Sequence, residues 1–440
     1  MMERIILGKL LDWKEKKQRK PLLIDGARQT GKTYLLQTLF GDTFDNVLRI
    51  DFLESPQMAE AFEGSLSPED IIANLELLTE CIFNPSTDLL ILDEIGECSK
   101  AVTSLKYFAE KAPHMYIAAS GSNIGLLNSF PVGKVDQHNL RPLTFREFLI
   151  ASKETALINA FNNQTNSAPA HTKLFEKLTD YYFTGGMPEA VGTWFSMKES
   201  SILERIQAVS DIHRNLISGY QRDFGKYSGK VDAGLIEAVF NNVPSQLSSV
   251  LDESVKRFKF KGVHERKSRY GEFESAICWL EKCRLVLKNH PIDGTPKSPL
   301  AAYRKENIVK LFLFDVGLLN HMLGINYKEI KQQGYEYKGY IAENFVQQEF
   351  AAQGVDPTFS WGDARAEIEF VATDKQGNVL PIEVKSGKRT RAKSLQSYIT
   401  KCQPVKTIKL TGTQGSSALE TKNIVLPLYY SEYAVIQYLK

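Results

Sequence analysis

Cysteine is scarce in this sequence, and its spacing argues against a disulfide-bonded scaffold. The 440 residues contain five cysteines, with no C-x-x-C pair and no dense group. Such usage is typical of a reducing compartment. We therefore expect these cysteines to be free thiols.

Long apolar runs and a dominant charge are also missing. The chain has no uninterrupted stretch of 18 apolar residues, and its N-terminal apolar segment is broken by Lys9 and followed by a charge cluster. These absences argue against a membrane span and a signal peptide, so we expect a soluble, cytoplasmic protein with no membrane partner. With 54 basic and 52 acidic residues, the net charge of +2 says little about other partners, and local charge matters more.

The chain does have a glycine-bounded segment, G-A-R-Q-T-G-K-T, between a strand pattern and a helical pattern. The pattern G-x-x-x-x-G-K-[ST] supplies glycine where the backbone wraps a phosphate, a lysine for the β- and γ-phosphates, and a hydroxyl for Mg²⁺. ATP and Mg²⁺ are therefore the expected ligands, and a glycine-bounded turn with a stray lysine is the alternative. The expected nucleotide-binding residues are Gly26, Ala27, Arg28, Gln29, Thr30, Gly31, Lys32 and Thr33.

A second apolar run, L-L-I-L-D-E-I, ends in two carboxylates. Asp93 is expected at the tip of a buried strand, where it can hold Mg²⁺, and Glu94 can polarise the attacking water. The alternative is that the two residues only cap the following helix. A small-molecule kinase would more often lack the adjacent glutamate, so ATP hydrolysis is favoured over phosphate transfer to a bound acceptor.

Other residues of the nucleotide site are less sharply defined by the sequence. Ser122 or Asn123, after the next strand pattern, is expected to sense the γ-phosphate, and a plain turn is an equal alternative. Arg141 and Arg146 are candidate transition-state arginines. Because surface arginine is common, the pattern does not decide between a catalytic and a structural role for either.

The order of these elements predicts an α/β fold. Strand patterns at 46–52, 88–95 and 115–123 alternate with helical ones, which favours a parallel P-loop NTPase sheet with helices on both faces. A length of 440 residues and 43% hydrophobic content allow two or three domains. The expected domains are an ATPase domain at 1–158, a mainly helical middle region at 172–323 and a C-terminal α/β domain at 335–440.

The middle region loses the alternation of strands and helices, and only residues 159–172 before it have a linker-like composition. Between residues 271 and 292 a helical pattern runs into a strand-like one, as in a winged helix, which serves packing as often as DNA reading. A basic run at 255–269 has Phe258 and Phe260 interleaved. It suits contact with DNA phosphates, and a solvated loop is the alternative. Its basic residues are Lys256, Arg257, Lys259, Lys261, Arg266, Lys267 and Arg269.

The C-terminal segment contains a second group of charged residues. Glu383 and Lys385 share one face of a strand, and a carboxylate with a lysine is what metal-assisted phosphodiester hydrolysis requires. Glu367 and Glu369 alternate on the preceding strand, and Glu343 lies on a helix before it. Three carboxylates would then converge on one Mg²⁺; a solvated sheet face is the alternative. A second basic cluster follows at Lys388, Arg389, Arg391 and Lys393.

Taken in order, the motifs resemble those of prokaryotic AAA-type ATPases that carry a C-terminal domain of unknown function numbered 4143. The resemblance implies an ATPase core, a helical and winged-helix-like middle, and a terminus of PD-(D/E)XK nuclease type. The chain departs from the family at Glu369, where aspartate is usual, and at Lys134, where arginine is frequent. The motifs, which span nearly the whole chain, are GARQTGKT, LLILDEI, GSN, RPLTFREFL, GGMPEAV, KLFLFDVGLL, GYIAENFV, EIEF and PIEVKSG.

Two functions of different classes follow from the sequence. The first is an ATP hydrolase that acts on DNA, or is regulated by it, through a nuclease-like terminus. The second is a nucleotide-dependent switch or interaction protein whose terminus does not cleave, and a homo-oligomer or a protein partner stays open. For the first function, the catalytic residues would be Glu94, Glu343, Glu369, Glu383 and Lys385.

Overall fold

A computed structural model describes the chain in two compact units, Met1–Arg141 and Pro142–Lys440. Within the described ranges no helix is both long and apolar enough to cross a membrane. The predictions for Asn123, Lys256, Lys388, Arg389 and Arg391 lie outside the described residues. The structure describes residues 2–122, 124–126, 130–229, 231–249, 257–332, 338–363, 366–387, 393–415 and 422–440, without the side chains of 227 and 338.

A parallel sheet of five strands forms the centre of the first unit. Its strands are β1 Leu22–Asp25, β2 Val47–Asp51, β3 Leu89–Asp93, β4 Tyr116–Gly121 and β5 Asp136–Asn139. The strand order is β2-β3-β4-β1-β5, and every neighbouring pair is parallel. The predicted parallel α/β sheet is confirmed, while the polar edge strand β5 has no counterpart among the predictions.

Successive apolar side chains of these strands point to opposite faces of the sheet and build a core on each face. Leu22 and Leu89 belong to one core, and Leu23 and Leu90 belong to the other. The first core packs on α1 Leu7–Lys14 and on α2 Lys32–Tyr34, which continues as a π-helix over Leu35–Phe40; the second packs on α3 Pro68–Thr79 and α4 Ser99–Lys111. Helices therefore cover both faces, and the strand ends between them are left for a ligand site.

The second unit contains a mixed sheet of seven strands. They are β6 Val286–Ile292, β7 Lys310–Leu313, β8 Thr358–Gly362, β9 Glu367–Thr373, β10 Val379–Lys385, β11 Thr407–Thr411 and β12 Asn423–Pro427. The order is β12-β11-β10-β9-β8-β6-β7, so the sheet combines strands from the predicted middle and C-terminal regions. The predicted boundaries of three domains stay predictions.

Helices make up most of the rest of the second unit. They are α5 Phe145–Ser152, α6 Thr155–Asn162, α7 Ala168–Thr184, α8 Pro188–Ser196, α9 Ile202–Tyr227, α10 Ala233–Leu247, α11 Tyr270–Lys282, α12 Val316–Met322, α13 Tyr327–Lys331, α14 Lys338–Ala352, α15 Lys393–Cys402 and α16 Ser431–Tyr438. The linker predicted at 159–172 is wrong, because α6 and α7 fill most of it. Phe161 is buried against Phe145, and Ser167 caps α7 by accepting a hydrogen bond from the Ala170 N–H.

Two motifs with no assigned chemistry, G-G-M-P-E-A-V and F-D-V-G-L-L, meet inside the second unit. Asp315, the N-cap residue of α12, accepts hydrogen bonds from the backbone N–H groups of Gly186 at 2.7 Å and of Gly317 and Leu318 at 3.0 Å each. A Cβ atom at Gly185, whose φ is +67°, would lie 2.1 Å from Asp315 Oδ1. Burial raises the pKa of Asp315 to about 6, although these three hydrogen bonds oppose the shift. The two motifs therefore form a close backbone crossing.

Gly186→Ala is expected to destabilise this crossing. Its Cβ atom would lie 2.1 Å from the backbone oxygen of Leu143, and overpacking against backbone costs about 1–3 kcal/mol. Urea unfolding measures the loss. The control is Gly219→Ala in α9, where a Cβ meets nothing within 4 Å and a gain of up to about 1 kcal/mol is expected. Equal stability of Gly186→Ala and the unmodified chain would contradict this account.

Candidate nucleotide site and C-terminal ion cluster

The phosphate loop joins β1 to α2, and two of its positions require glycine. Gly31 has a φ of +90°, in the left-handed region. A Cβ atom at Gly26 would lie 2.3 Å from the backbone oxygen of Leu140. Gln29 between them also has a positive φ, 63°. The loop is therefore tightly curved at the end of β1, as the phosphate-binding motif predicts.

The side chains of the loop hold its curvature. Lys32 Nζ donates hydrogen bonds to the backbone oxygens of Gly26 and Ala27, both at 3.0 Å. Thr30 Oγ1 also donates to the Ala27 oxygen at 2.8 Å, and Arg4 Nη1 donates to the Thr30 oxygen at 2.8 Å. Burial lowers the pKa of Lys32, against the attraction of nearby carboxylates. The ammonium group is thus positioned within the loop.

Asp93 ends β3 beside this loop. Thr33 Oγ1 donates to Asp93 Oδ2 at 2.9 Å, and the Ser120 hydroxyl, on the neighbouring strand β4, donates to Oδ1. Burial alone would raise the pKa of Asp93, but hydrogen bonds from Ser120, Arg49 and Thr33 outweigh burial and lower it. Thr33 and Asp93 place two oxygen atoms together, which is the type of ligand that Mg²⁺ takes in proteins. The oxygen chemistry of this donor set fits Mg²⁺, and in this structure Asp93 Oδ2 is also paired with Arg49.

Arg49, on β2, is a residue of this site that sequence reasoning missed. Its Nε and Nη2 donate to Asp93 Oδ2 at 3.0 and 2.8 Å, and Nη2 also pairs with Asp51. The signal was present in V-L-R-I-D, because Arg49 and Asp51 are two residues apart on a strand and share a face. The guanidinium therefore balances the charge of the carboxylate at the tip of β3.

Glu94 follows Asp93 in a left-handed conformation, with φ +47°. Ser122 Oγ donates to Glu94 Oε2 at 3.3 Å, and Arg28 Nε donates to Ser122 Oγ at 3.4 Å. The predicted base and sensor residues and an arginine of the phosphate loop are thus in contact. Glu94 takes the N-cap position of the 3₁₀ turn Ile95–Glu97 without a side-chain cap hydrogen bond, and Cys98 Sγ caps α4 by accepting from the Ala101 N–H, so the alternative that these carboxylates cap the next helix is not supported.

The two candidate arginines have different surroundings. The Arg141 backbone oxygen accepts a hydrogen bond from Arg4 Nη2 at 2.7 Å. In the second unit, Arg146 Nε donates to Glu432 Oε2 at 2.9 Å, and its guanidinium lies 5.2 Å from the centre of the Tyr433 ring. These contacts give Arg146 a structural role, and a role for either arginine in hydrolysis stays a prediction.

Glu369, Glu383 and Lys385 are brought together on β9 and β10. Lys385 Nζ lies 3.1 Å from Glu369 Oε1 and 3.7 Å from Glu383 Oε1. Glu369 Oε2 also accepts from the Val384 N–H at 3.0 Å. Glu383 is fully buried and Glu369 is 5% exposed, so the alternative of a solvated sheet face does not hold. Burial raises the pKa of both glutamates, against the opposing charge of Lys385.

Lys310, at the start of β7, is a second residue that sequence reasoning missed. Its Nζ lies 2.6 Å from Glu343 Oε2 and 4.0 Å from Glu367 Oε1. Burial would lower the pKa of Lys310, but the attraction of Glu343 and Glu367 outweighs burial and raises it, so the ammonium stays charged. The only sequence signal was a lysine opening the apolar run K-L-F-L-F.

The predicted three-carboxylate metal centre is not formed. Among the residues described, no group of three or more His, Cys, Asp or Glu side chains is arranged to hold a metal ion. Glu343 lies against Lys310, and Glu369 lies against Lys385. Ammonium groups therefore stand where convergence on Mg²⁺ was expected, and this expectation for Glu343, Glu369 and Glu383 is corrected. Their catalytic roles stay predictions.

The phenylalanines of the basic run, which is described from residue 257 onward, face the protein interior. Phe258 and Phe260 are buried with ring centres 5.2 Å apart, and Phe260 lies 5.4 Å from the ring of Phe273. The basic side chains that alternate with them point to solvent. The exposed basic residues of this run are Arg257, Lys259, Lys261, Arg266 and Arg269.

Three segments of the chain match known domain families. Residues 18–149 match AAA_14, described as an AAA domain. Residues 175–329 match DUF8612 and residues 338–431 match DUF4143, both domains of unknown function. No curated protein matches the chain.

Solved structures share only limited similarity with the chain. PCH-2 of C. elegans is 14% identical over 44% of this chain, with a TM-score of 0.29, and the chain covers 60% of its length. A structure of Drosophila ORC bound to DNA is 12% identical over 73% of this chain and 85% of its own, with a TM-score of 0.26. Because these TM-scores are low, the assignment of an AAA domain rests on the family match and on the geometry of the site.

Residues 18–149, most of which lie in the first unit, therefore form an AAA domain of the P-loop class, the class of nucleotide-binding ATPases. Its parallel sheet, phosphate loop and Asp93 agree with the match at residues 18–149. The C-terminal part contains the DUF4143 domain that the sequence motifs predicted. The nuclease-type fold and the winged helix stay predictions.

Proposed function

We propose that the protein hydrolyses ATP at the phosphate loop of the first unit. The contact between Thr33 and Asp93, next to the positioned ammonium of Lys32, carries this proposal. Lys32 would bind the β- and γ-phosphates, and Thr33 and Asp93 would hold Mg²⁺, which offsets phosphate charge when bound. Glu94 would take the proton of the attacking water, with Ser122 orienting its carboxylate.

Phosphate release by the purified full chain tests this proposal. The assay is run with ATP and Mg²⁺, and again with EDTA in excess over the metal. Turnover that requires Mg²⁺ is the expected result. A chain that binds ATP without turning it over would leave a nucleotide-dependent switch, and a chain that does not bind ATP would contradict both functions.

DNA is the partner that we propose for the second unit. This proposal is supported by the row of exposed basic side chains at residues 257–269. Phe258 and Phe260, which alternate with the first of these side chains, are buried and fix the segment to the protein interior. A row of this kind contacts backbone phosphates without reading the base sequence. A winged-helix role for α11 and β6 is part of the same proposal.

Replacing Arg257, Lys259 and Lys261 by glutamine is expected to weaken binding to unrelated DNA duplexes alike. Each lost phosphate contact should reduce the slope of log K against log salt by about 0.9, and fluorescence anisotropy over a salt series measures it. ATP hydrolysis without DNA should not change.

The matched control for this variant replaces three exposed lysines of the first unit by glutamine. These lysines are Lys9, Lys17 and Lys20. The control removes the same charge from a different surface, so its salt slope should equal that of the unmodified chain. Equal slopes of log K against log salt in all three proteins would show that the basic run is a solvated loop that does not contact DNA.

A nucleotide-dependent switch whose terminus does not cleave is the second candidate. The pairing of Lys310 with Glu343 and of Lys385 with Glu369 favours it. Nicking of supercoiled plasmid is measured in Mg²⁺ and in Mn²⁺, for the unmodified chain and for Glu383→Ala. No nicking in either metal supports this candidate, whereas nicking that Glu383→Ala abolishes would restore an active nuclease.

A further inference from the structure

We infer that Lys310 is a built-in cation of the C-terminal ion cluster and takes, beside Glu343, the position that a divalent metal would need. The cluster consists of Lys310, Glu343, Glu367, Glu369, Glu383 and Lys385. The inference goes beyond ATP hydrolysis and does not depend on it. It states that the counter-ions of the carboxylates in this cluster are the chain's own ammonium groups.

The geometry around Lys310 carries the inference. Its side chain is 1% exposed, and its Nζ lies 2.6 Å from Glu343 Oε2 with Glu367 Oε1 at 4.0 Å. Mg²⁺ would bind a carboxylate oxygen at about 2.0–2.1 Å. An ammonium at 2.6 Å fills the space that the ion would take on that oxygen, and burial leaves the lysine little freedom to withdraw.

The second half of the cluster repeats the arrangement. Lys385 Nζ lies 3.1 Å from Glu369 Oε1, and Glu383, which is fully buried, has the same ammonium 3.7 Å from Oε1. Burial raises the pKa of Glu369 and Glu383, against the opposing charge of Lys385. Each of the two lysines therefore lies against a buried carboxylate of the cluster, Lys310 against Glu343 and Lys385 against Glu369.

Removal of the Lys310 charge should allow a divalent metal ion to bind next to Glu343. In Lys310→Met the aliphatic volume stays, while the ammonium group next to Glu343 Oε2 is removed. We expect this variant, and not its parent, to bind Mn²⁺, measured by electron paramagnetic resonance without nucleotide. All chains carry Asp93→Asn, so that the nucleotide site does not contribute. The matched control, Lys310→Met with Glu343→Gln, should lose the gained Mn²⁺.

Thermal unfolding with and without Mn²⁺ covers the case in which Lys310→Met folds poorly, since removing one partner of a buried ion pair is strongly destabilising. We expect Mn²⁺ to raise the Tm of Lys310→Met and to leave the parent and the double variant unchanged. A parent that binds Mn²⁺ through Glu343, shown by loss in Glu343→Gln, would overturn the inference. A Lys310→Met chain that Mn²⁺ neither binds nor stabilises, while the double variant folds, would overturn it as well.

Discussion

Lys32→Ala is expected to weaken ATP binding by about a hundredfold. The Lys32 ammonium is held within the phosphate loop by the backbone oxygens of Gly26 and Ala27, where it would meet the β- and γ-phosphates. A hydrogen bond to a charged group contributes about 1.5–3 kcal/mol, and each 1.4 kcal/mol is about tenfold in affinity. Titration with a fluorescent ATP analogue measures the change.

The control for this variant is Lys20→Ala, which removes a lysine that is exposed and lies before β1. It should bind the analogue as the unmodified chain does. Because Lys32 also holds the loop, the Tm of each variant is measured alongside. Unchanged affinity in Lys32→Ala would show that the loop does not bind phosphate.

Glu94→Gln is expected to keep ATP affinity and lose hydrolysis by about 10²–10⁴-fold, the range that general acid–base catalysis contributes. Glutamine preserves the shape of the side chain and its contact with Ser122 but cannot accept a proton from water. Asp93 and Thr33 are unchanged, so the proposed metal site is kept. Analogue titration and phosphate release, made on the same preparation, separate binding from turnover.

Glu97→Gln is the matched control, because it neutralises an exposed glutamate three residues away in the same turn. Its turnover should equal that of the unmodified chain. Normal turnover in Glu94→Gln would remove the assignment of Glu94 as the base. A loss of ATP affinity in Glu94→Gln would instead assign the residue to nucleotide binding.

Much of the geometry of the candidate nucleotide site was predictable because its signals are local in sequence. Gly31 and Asp93 each follow a short apolar run, and parallel strands bring their ends to one edge of the sheet. Arg49 was missed, although it lies in a correctly predicted strand. Its contact with Asp93 depends on β2 being the neighbour of β3, and the strand pattern alone does not give that order.

The carboxylates of the C-terminal ion cluster and Lys385 were predicted from the sequence, but Lys310 and the pairing of the charges were missed. Alternation placed Glu383 and Lys385 on one face, but it contains no information on a counter-ion. Lys310 is 33 residues from Glu343 and belongs to a run that looks like plain core. Only the packing of α14 on the sheet brings Glu343 to Lys310 on β7, so the sequence suggested a metal where the structure has an ammonium.

The most direct test of the central claim is steady-state phosphate release over a Mg²⁺ titration, at an ATP concentration just sufficient to saturate the unmodified chain, for the unmodified chain, Lys32→Ala and Glu94→Gln. The account predicts turnover that rises with Mg²⁺ in the unmodified chain and is lost in both variants. Turnover in Lys32→Ala equal to that of the unmodified chain would contradict it, because hydrolysis would then not take place at the phosphate loop.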